Sequence, residues 1–129
     1  MPRFPYKSGT VLIPSGTTDN PNNRHLFILC TDECSLGRFL LVPVSSWTGT
    51  LCDPSCRLAV GDHPFITHPS YILYRYARIE ARTALERGVA SGAFKVQDPV
   101  TGHLLLRIRK GVCASPQTPR KMKSYFGCP

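Results

Sequence analysis

Arg24-His-Leu-Phe-Ile-Leu-Cys-Thr31 and Phe39-Leu-Leu-Val-Pro-Val-Ser45, joined by Asp32-Glu-Cys-Ser-Leu-Gly-Arg38, decide how this chain folds. Both runs are almost continuously apolar, short, and bounded by turn residues, which makes them buried strands rather than helices. Pro43 has no amide hydrogen to give a ladder, so the second run needs an edge or a bulge there and is expected to bend just before Ser45-Ser46-Trp47. Upstream, Thr10-Val-Leu-Ile-Pro14 reads as another short strand, stopped by Pro14-Ser-Gly16. The polar loop from Thr17 to Asn23 then delivers Arg24 to the mouth of the next strand. Cys30, at the end of its apolar run, reads as a small core side chain.

Downstream, the stretch from Cys52 to Tyr71 gathers two cysteines, His63, His68, Asp53 and Asp62 among turn residues, so it loops over a surface and concentrates the chain's chemistry. Cys56-Arg-Leu-Ala-Val60 fits one more short strand. Tyr71-Ile-Leu-Tyr-Arg-Tyr-Ala-Arg-Ile79 reads as a strand from its aromatic and β-branched content, although the absence of breakers up to Arg87 keeps a helix open. Thr83 to Arg87 reads as a helical turn ended by Gly88. Asp98 or Thr101 caps a helix from Val100 to Val112, with Leu104, Leu105, Ile108 and Val112 on one face. Thr118-Pro119 opens a short basic segment, Arg120-Lys-Met-Lys-Ser-Tyr-Phe126, as N-cap and first helical residue. The whole is mainly β with a C-terminal helix, a small and strongly curved sheet or barrel. A single domain is expected over 1–129: strands and the Cys/His loop over 9–80, and a helical, basic part over 98–126.

At 129 residues the chain buries one core without a metal or disulfide staple. It holds no apolar run long enough to span a membrane, and its N-terminus lacks the pattern of a signal peptide, so a cytoplasmic setting is expected and the six cysteines are read as thiols. Sixteen Lys and Arg against eight Asp and Glu leave a formal charge of +8. No acid follows Asp98, whereas Arg107, Arg109, Lys110, Arg120, Lys121 and Lys123 do. That imbalance favours a polyanion, nucleic acid first and an acidic protein second.

The order of motifs resembles the PemK/MazF toxins of type II toxin–antitoxin systems, more closely a divergent branch carrying a Gly-Asp-His-Pro-Phe-Ile…His-x-Ser-Tyr block, which stands here from Gly61 to Tyr71. Three features carry the resemblance: the opening strand Gly9-Thr-Val-Leu-Ile; the arginine that begins Arg24-His-Leu-Phe-Ile-Leu; and the strand closing in Val42-Pro-Val-Ser-Ser46. The likeness covers roughly residues 9 to 80. The family's usual Arg-Pro is Arg24-His25 here, its usual threonine is a serine, and the central Cys/His block has no counterpart in its common members. The resemblance implies an SH3-like β-barrel, usually a homodimer, that cleaves single-stranded RNA without a metal or other cofactor and is neutralised by an antitoxin protein. It places the cleaving pair on Arg24 and Ser45, with Ser46 close behind.

Such cleavage needs a base, an acid and positive charge on the phosphorane. Arg24 supplies fixed cationic donors but is a poor proton acceptor. Imidazole exchanges protons near neutrality, which makes His63 and His68 candidate bases, with Asp62 or Asp53 to fix a ring tautomer. A histidine in a proline-rich loop also serves structurally, donating to backbone carbonyls. A serine-nucleophile hydrolase is disfavoured, as no Gly-x-Ser-x-Gly elbow is present. Cys52, Cys56, His63 and His68 form a legitimate tetrahedral zinc set, at spacings shorter than a zinc finger's. Trp47, Tyr71, Tyr74 and Tyr76, interleaved with Arg75 and Arg78, have the composition of a base-stacking platform. Trp47, Asp62, Tyr74 and Arg75 are thus candidate substrate contacts, with Tyr74 and Tyr76 sharing a face if the segment is a strand.

Overall fold

A computed structural model describes residues 3–14 and 24–129, and the polar loop expected from Thr17 to Asn23 lies outside them. The strands are β1 (Thr10–Pro14), β2 (Arg24–Leu29), β3 (Arg38–Ser46), β4 (Arg57–Leu58), β5 (Ser70–Ile72), β6 (Arg78–Ala81) and β7 (Lys95–Gln97). The helices are α1 (Arg82–Ala90), α2 (Gly102–Ala114) and α3 (Arg120–Phe126). The strands make one antiparallel sheet in the order β4-β5-β3-β2-β1-β7, with β6 also paired to β3. Among the described residues β4 and β7 do not pair, so the sheet stays open.

Both faces of the sheet are covered, which is why its central strands are apolar at successive positions. Leu26, Ile28, Leu40, Val42 and Val44 pack with Leu104, Leu105, Ile108 and Val112 of α2. The alternate residues Val11, Ile13, Phe27, Leu29, Phe39 and Leu41 pack with Leu85 of α1. Alternation across the pleat sends each set to its own layer, and each fully buried side chain contributes roughly 1.5–3 kcal/mol. Cys30 is a buried core residue, and its thiol is pushed up to about 12 by burial, only partly offset by Arg109.

Pro43 sits inside β3, which runs on to Ser46 instead of bending before Ser45. One edge of β3 pairs with β6 through Leu41 and with β5 from Val44, so Pro43 falls in the gap, where its carbonyl accepts from Leu73 and no donor is required.

The segment from Tyr71 to Ile79 is neither one strand nor a helix. β5 and β6 flank a 3-10 turn at Tyr74–Tyr76, whose three residues per turn send Tyr74 inward and leave Tyr76 exposed, so the two tyrosines do not share a face. Gly88 lies within α1 rather than ending it, because Phe94 occupies the space that a Cβ there would fill. Thr101 caps α2, its hydroxyl accepting from the Leu104 amide at 3.2 Å, while Asp98 does not. Pro119, not Thr118, is the N-cap of α3. β7, unanticipated from the sequence, pairs with β1. Cys113 and Cys128, expected as thiols, are joined as a disulfide, because α3 folds back along α2 and Gly127 turns the tail toward Cys113. Cys30, Cys34, Cys52 and Cys56 are free. No helix among the described residues is long and apolar enough to cross a membrane.

Candidate functional site

β2 and β3 keep register only as far as Phe27 opposite Pro43. Past that pair, β3 sets Val44, Ser45 and Ser46 opposite Ile72, Tyr71 and Ser70 of β5, while the start of β2 stays with β1, Arg24 opposite Pro14. A cleft of about 340 Å3 remains between the diverging strands, lined by Arg24, His25, Ser45 and Ser46 and closed on one side by Phe65, Ile66 and His68 of the central loop.

That loop is tied down at several points. Asp53, 1% exposed, accepts from the Ser115 hydroxyl beyond α2 and from the amide and hydroxyl of Ser55. Burial pushes its carboxyl pKa up, and these three hydrogen bonds outweigh it, leaving the group below the usual carboxylate value. His63, 4% exposed, accepts the Phe65 amide at Nδ1 (3.0 Å), which puts the proton on Nε2, 2.6 Å from the Asp98 carbonyl. Asp62 accepts from the Ala59 amide at 2.8 Å and pairs with Arg107, whose guanidinium also donates to the Arg57 carbonyl. The wall that carries His68 is thereby fastened to α2 and to the segment leading into it.

Within the cleft, Ser46 Oγ lies 2.7 Å from His68 Nε2. The tautomer with its proton on Nδ1, facing Thr67 Oγ1 at 3.4 Å, leaves Nε2 to accept from Ser46. Arg24 is exposed at the head of β2 and lines the same cleft. A basic nitrogen, a hydroxyl and a guanidinium therefore border one space, which suits proton removal beside a stabilised anion.

Other candidates fall elsewhere. Ser45 borders the cleft, but its β5 partner is Tyr71, and of the two serines it is Ser46 that meets an imidazole. His63 is outside the cleft, with both ring nitrogens occupied by backbone; its role as a base gives way to a structural one. Its tautomer is set by the Phe65 amide and the Asp98 carbonyl, not by Asp53 or Asp62. Tyr74 is fully buried, its hydroxyl donating to the Ile108 carbonyl at 2.7 Å, and as a substrate contact it is corrected to a core residue. Trp47 is half-buried, with the Arg57 guanidinium 3.9 Å over its ring and Tyr71 edge-on at 5.7 Å. Asp62 is spent on Arg107 and Ala59, away from the cleft. Arg75 is exposed and lies 5.0 Å over Tyr76.

The zinc set does not assemble. Cys52 Sγ is held by the Thr48 hydroxyl and amide, which lower its pKa, whereas Cys56 is buried and its thiol is raised by that burial. Among the described residues no three His, Cys, Asp or Glu side chains come together as a metal site.

Sequence reasoning missed His25, Phe65 and Ile66 as cleft residues. His25 had a signal, since it stands beside Arg24 where the resembled family carries proline; Phe65 and Ile66 lie in the Gly61–Tyr71 block, but nothing in the sequence placed them on the cleft. Compared with known proteins, the chain matches no family model and no curated relative.

Proposed function

We propose that this chain is a toxin-like endoribonuclease that cuts single-stranded RNA without a metal. The observation that carries this reading is the convergence of Arg24, Ser46 and His68 on one cleft, with the serine and histidine in hydrogen-bond contact. The strand order and the helix α2 laid across one face support placing the architecture with SH3-like barrels of the PemK/MazF kind, in an opened form.

In this reading the ribose 2′-hydroxyl passes its proton to Ser46 Oγ as Ser46 passes its own to His68 Nε2. The 2′ oxygen bonds to the adjacent phosphorus as the bond to the 5′ oxygen breaks, and Arg24 stabilises the charge gathered on the phosphorane. His25, the second imidazole lining the cleft, protonates the departing 5′ oxygen. The products are a 2′,3′-cyclic phosphate and a 5′-hydroxyl. An antitoxin that fills the cleft and a second copy of the chain are the partners this reading calls for.

The test is incubation with mixed-sequence single-stranded RNA in EDTA. Discrete cuts bearing cyclic phosphate ends, lost in Arg24→Ala and His68→Ala, are the expected result. Retention of RNA without cleavage by any form would instead make the protein a nucleic-acid-binding module.

A further inference from the structure

Three depressions follow one another across the molecule. His25 borders both the cleft described above and a groove of about 390 Å3 lined by Phe27, Pro43, Leu73, Tyr76 and Arg78. Arg78 in turn borders both that groove and a notch of similar size between β6 and α3, where Arg38 and Lys121 stand. Arg24, Arg78, Arg38 and Lys121 thus mark one path, and among the described residues no Asp or Glu lines any of the three depressions. Glu80 pairs with Arg78 through both Nε, at 2.6 Å, and Nη2, so the cations on the path without an acid partner among the described residues are Arg24, Arg38 and Lys121. In the middle, Tyr76 is 57% exposed, and Arg75 lies over it.

We propose that this path is a track for single-stranded RNA, in which Tyr76 stacks a base in the middle groove and Lys121 contacts a backbone phosphate beyond it. The inference rests on the ribonuclease reading for its ligand and extends it from the reacting phosphate to the neighbouring nucleotides. Charge favours a polyanion. The exposed ring favours one that carries planar bases, since base–aromatic stacking tolerates any sequence while an acidic peptide has no use for a stacking platform. β2, β3 and β6 are successive neighbours about 4.8 Å apart in the sheet, so the track spans roughly 10 Å between its outer strands, room for about two nucleotides.

The experiment measures binding of a labelled 2′-O-methyl hexanucleotide, which no 2′-hydroxyl mechanism cleaves, by fluorescence anisotropy over a salt series. Tyr76→Ala is expected to weaken binding roughly tenfold and Tyr76→Phe to stay within about twofold of the parent. Lys121→Gln is expected to flatten the slope of log affinity against log salt by about 0.7, the value of one phosphate contact on a single strand. Lys110→Gln, exposed on α2 and off the track, should leave both unchanged. Unaltered binding in Tyr76→Ala and Lys121→Gln overturns the proposal, and so does capture of oligo-glutamate with no capture of the oligonucleotide. If the expected binding pattern holds while unmodified RNA goes uncut, the track stands and the nuclease reading falls.

Discussion

The hydroxyl of Ser46 and Nε2 of His68 meet at 2.7 Å across twenty-two residues of sequence. Neighbouring Ser45, the other serine that the motif order offers, is instead opposite Tyr71. The two serines are therefore separable by experiment. His68→Ala is expected to lower kcat on RNA by about 10²–10³-fold and Ser46→Ala by about 10–100-fold, with Ser45→Ala within about threefold of the parent. Equal losses at both serines would undo the assignment.

His63 serves the fold. Replacing it with alanine leaves the Phe65 amide without its partner and the Asp98 carbonyl with Thr10 Oγ1 alone, so His63→Ala should cost about 2 kcal/mol in urea unfolding. The fraction that remains folded should cut RNA at nearly the parent rate, and a hundredfold drop in kcat per folded molecule would return His63 to the reaction.

Asp53 gives the protein an acid-sensitive tie. Its folded-state pKa lies below its unfolded value, so the unfolded chain takes up the proton first as pH falls. The stabilisation is complete above the unfolded value, about 3.9, and is lost as pH falls through the folded one. Asp53→Asn should be less stable than the parent at pH 7, with the gap narrowing below about pH 4, as denaturation midpoints across pH will show. A gap that does not change with pH contradicts this.

Gly111 lets α2 approach Tyr74. A Cβ at that position would fall 1.9 Å from the Tyr74 hydroxyl oxygen. Gly111→Ala is expected to cost about 3 kcal/mol, from overpacking a buried ring, against about 1 kcal/mol for Tyr74→Phe, which gives up only the hydrogen bond to Ile108. Thermal melts of the two variants make the comparison.

The Cys113–Cys128 bond closes a span of 15 residues. Constraint of the unfolded chain over a loop of that size is worth about 3 kcal/mol, so reduction, or a Cys113→Ala/Cys128→Ala double variant, should lower the unfolding free energy by about that amount. No change on reduction would mean that the tail is held by its packing alone.

Much of the scaffold was legible because its signals are local. The apolar run from Arg24, the strand at Thr10–Pro14 and the Thr101 cap with its apolar face each read correctly from neighbouring residues. What escaped depends on partners distant in sequence. Tyr74 turns inward because Gly111, on a helix formed much later, leaves space for it. Pro43 fits a strand interior because two other strands leave a gap beside it. At the site, Arg24, Ser46 and His68 were identifiable as residues of the right chemistry. The choice between Ser45 and Ser46, and between His63 and His68, turned on which way each side chain faces. For the serines, alternation along β3 does not disclose that until its pairing partners are known; for the histidines, which sit in the central loop, it depends on the backbone partners that the loop meets only in the folded chain.

The ties that hold the central loop set an order of events during synthesis. His68 stands just before β5, which pairs with the earlier β3, but the rest of its loop is fastened by groups made later: the Asp98 carbonyl, Arg107 and Ser115. A chain still leaving the ribosome has both partners of the Ser46–His68 contact but not the helix that fixes their wall. The wall of the cleft is fully fastened only once α2 and Ser115 have been made, when the polypeptide is nearly complete.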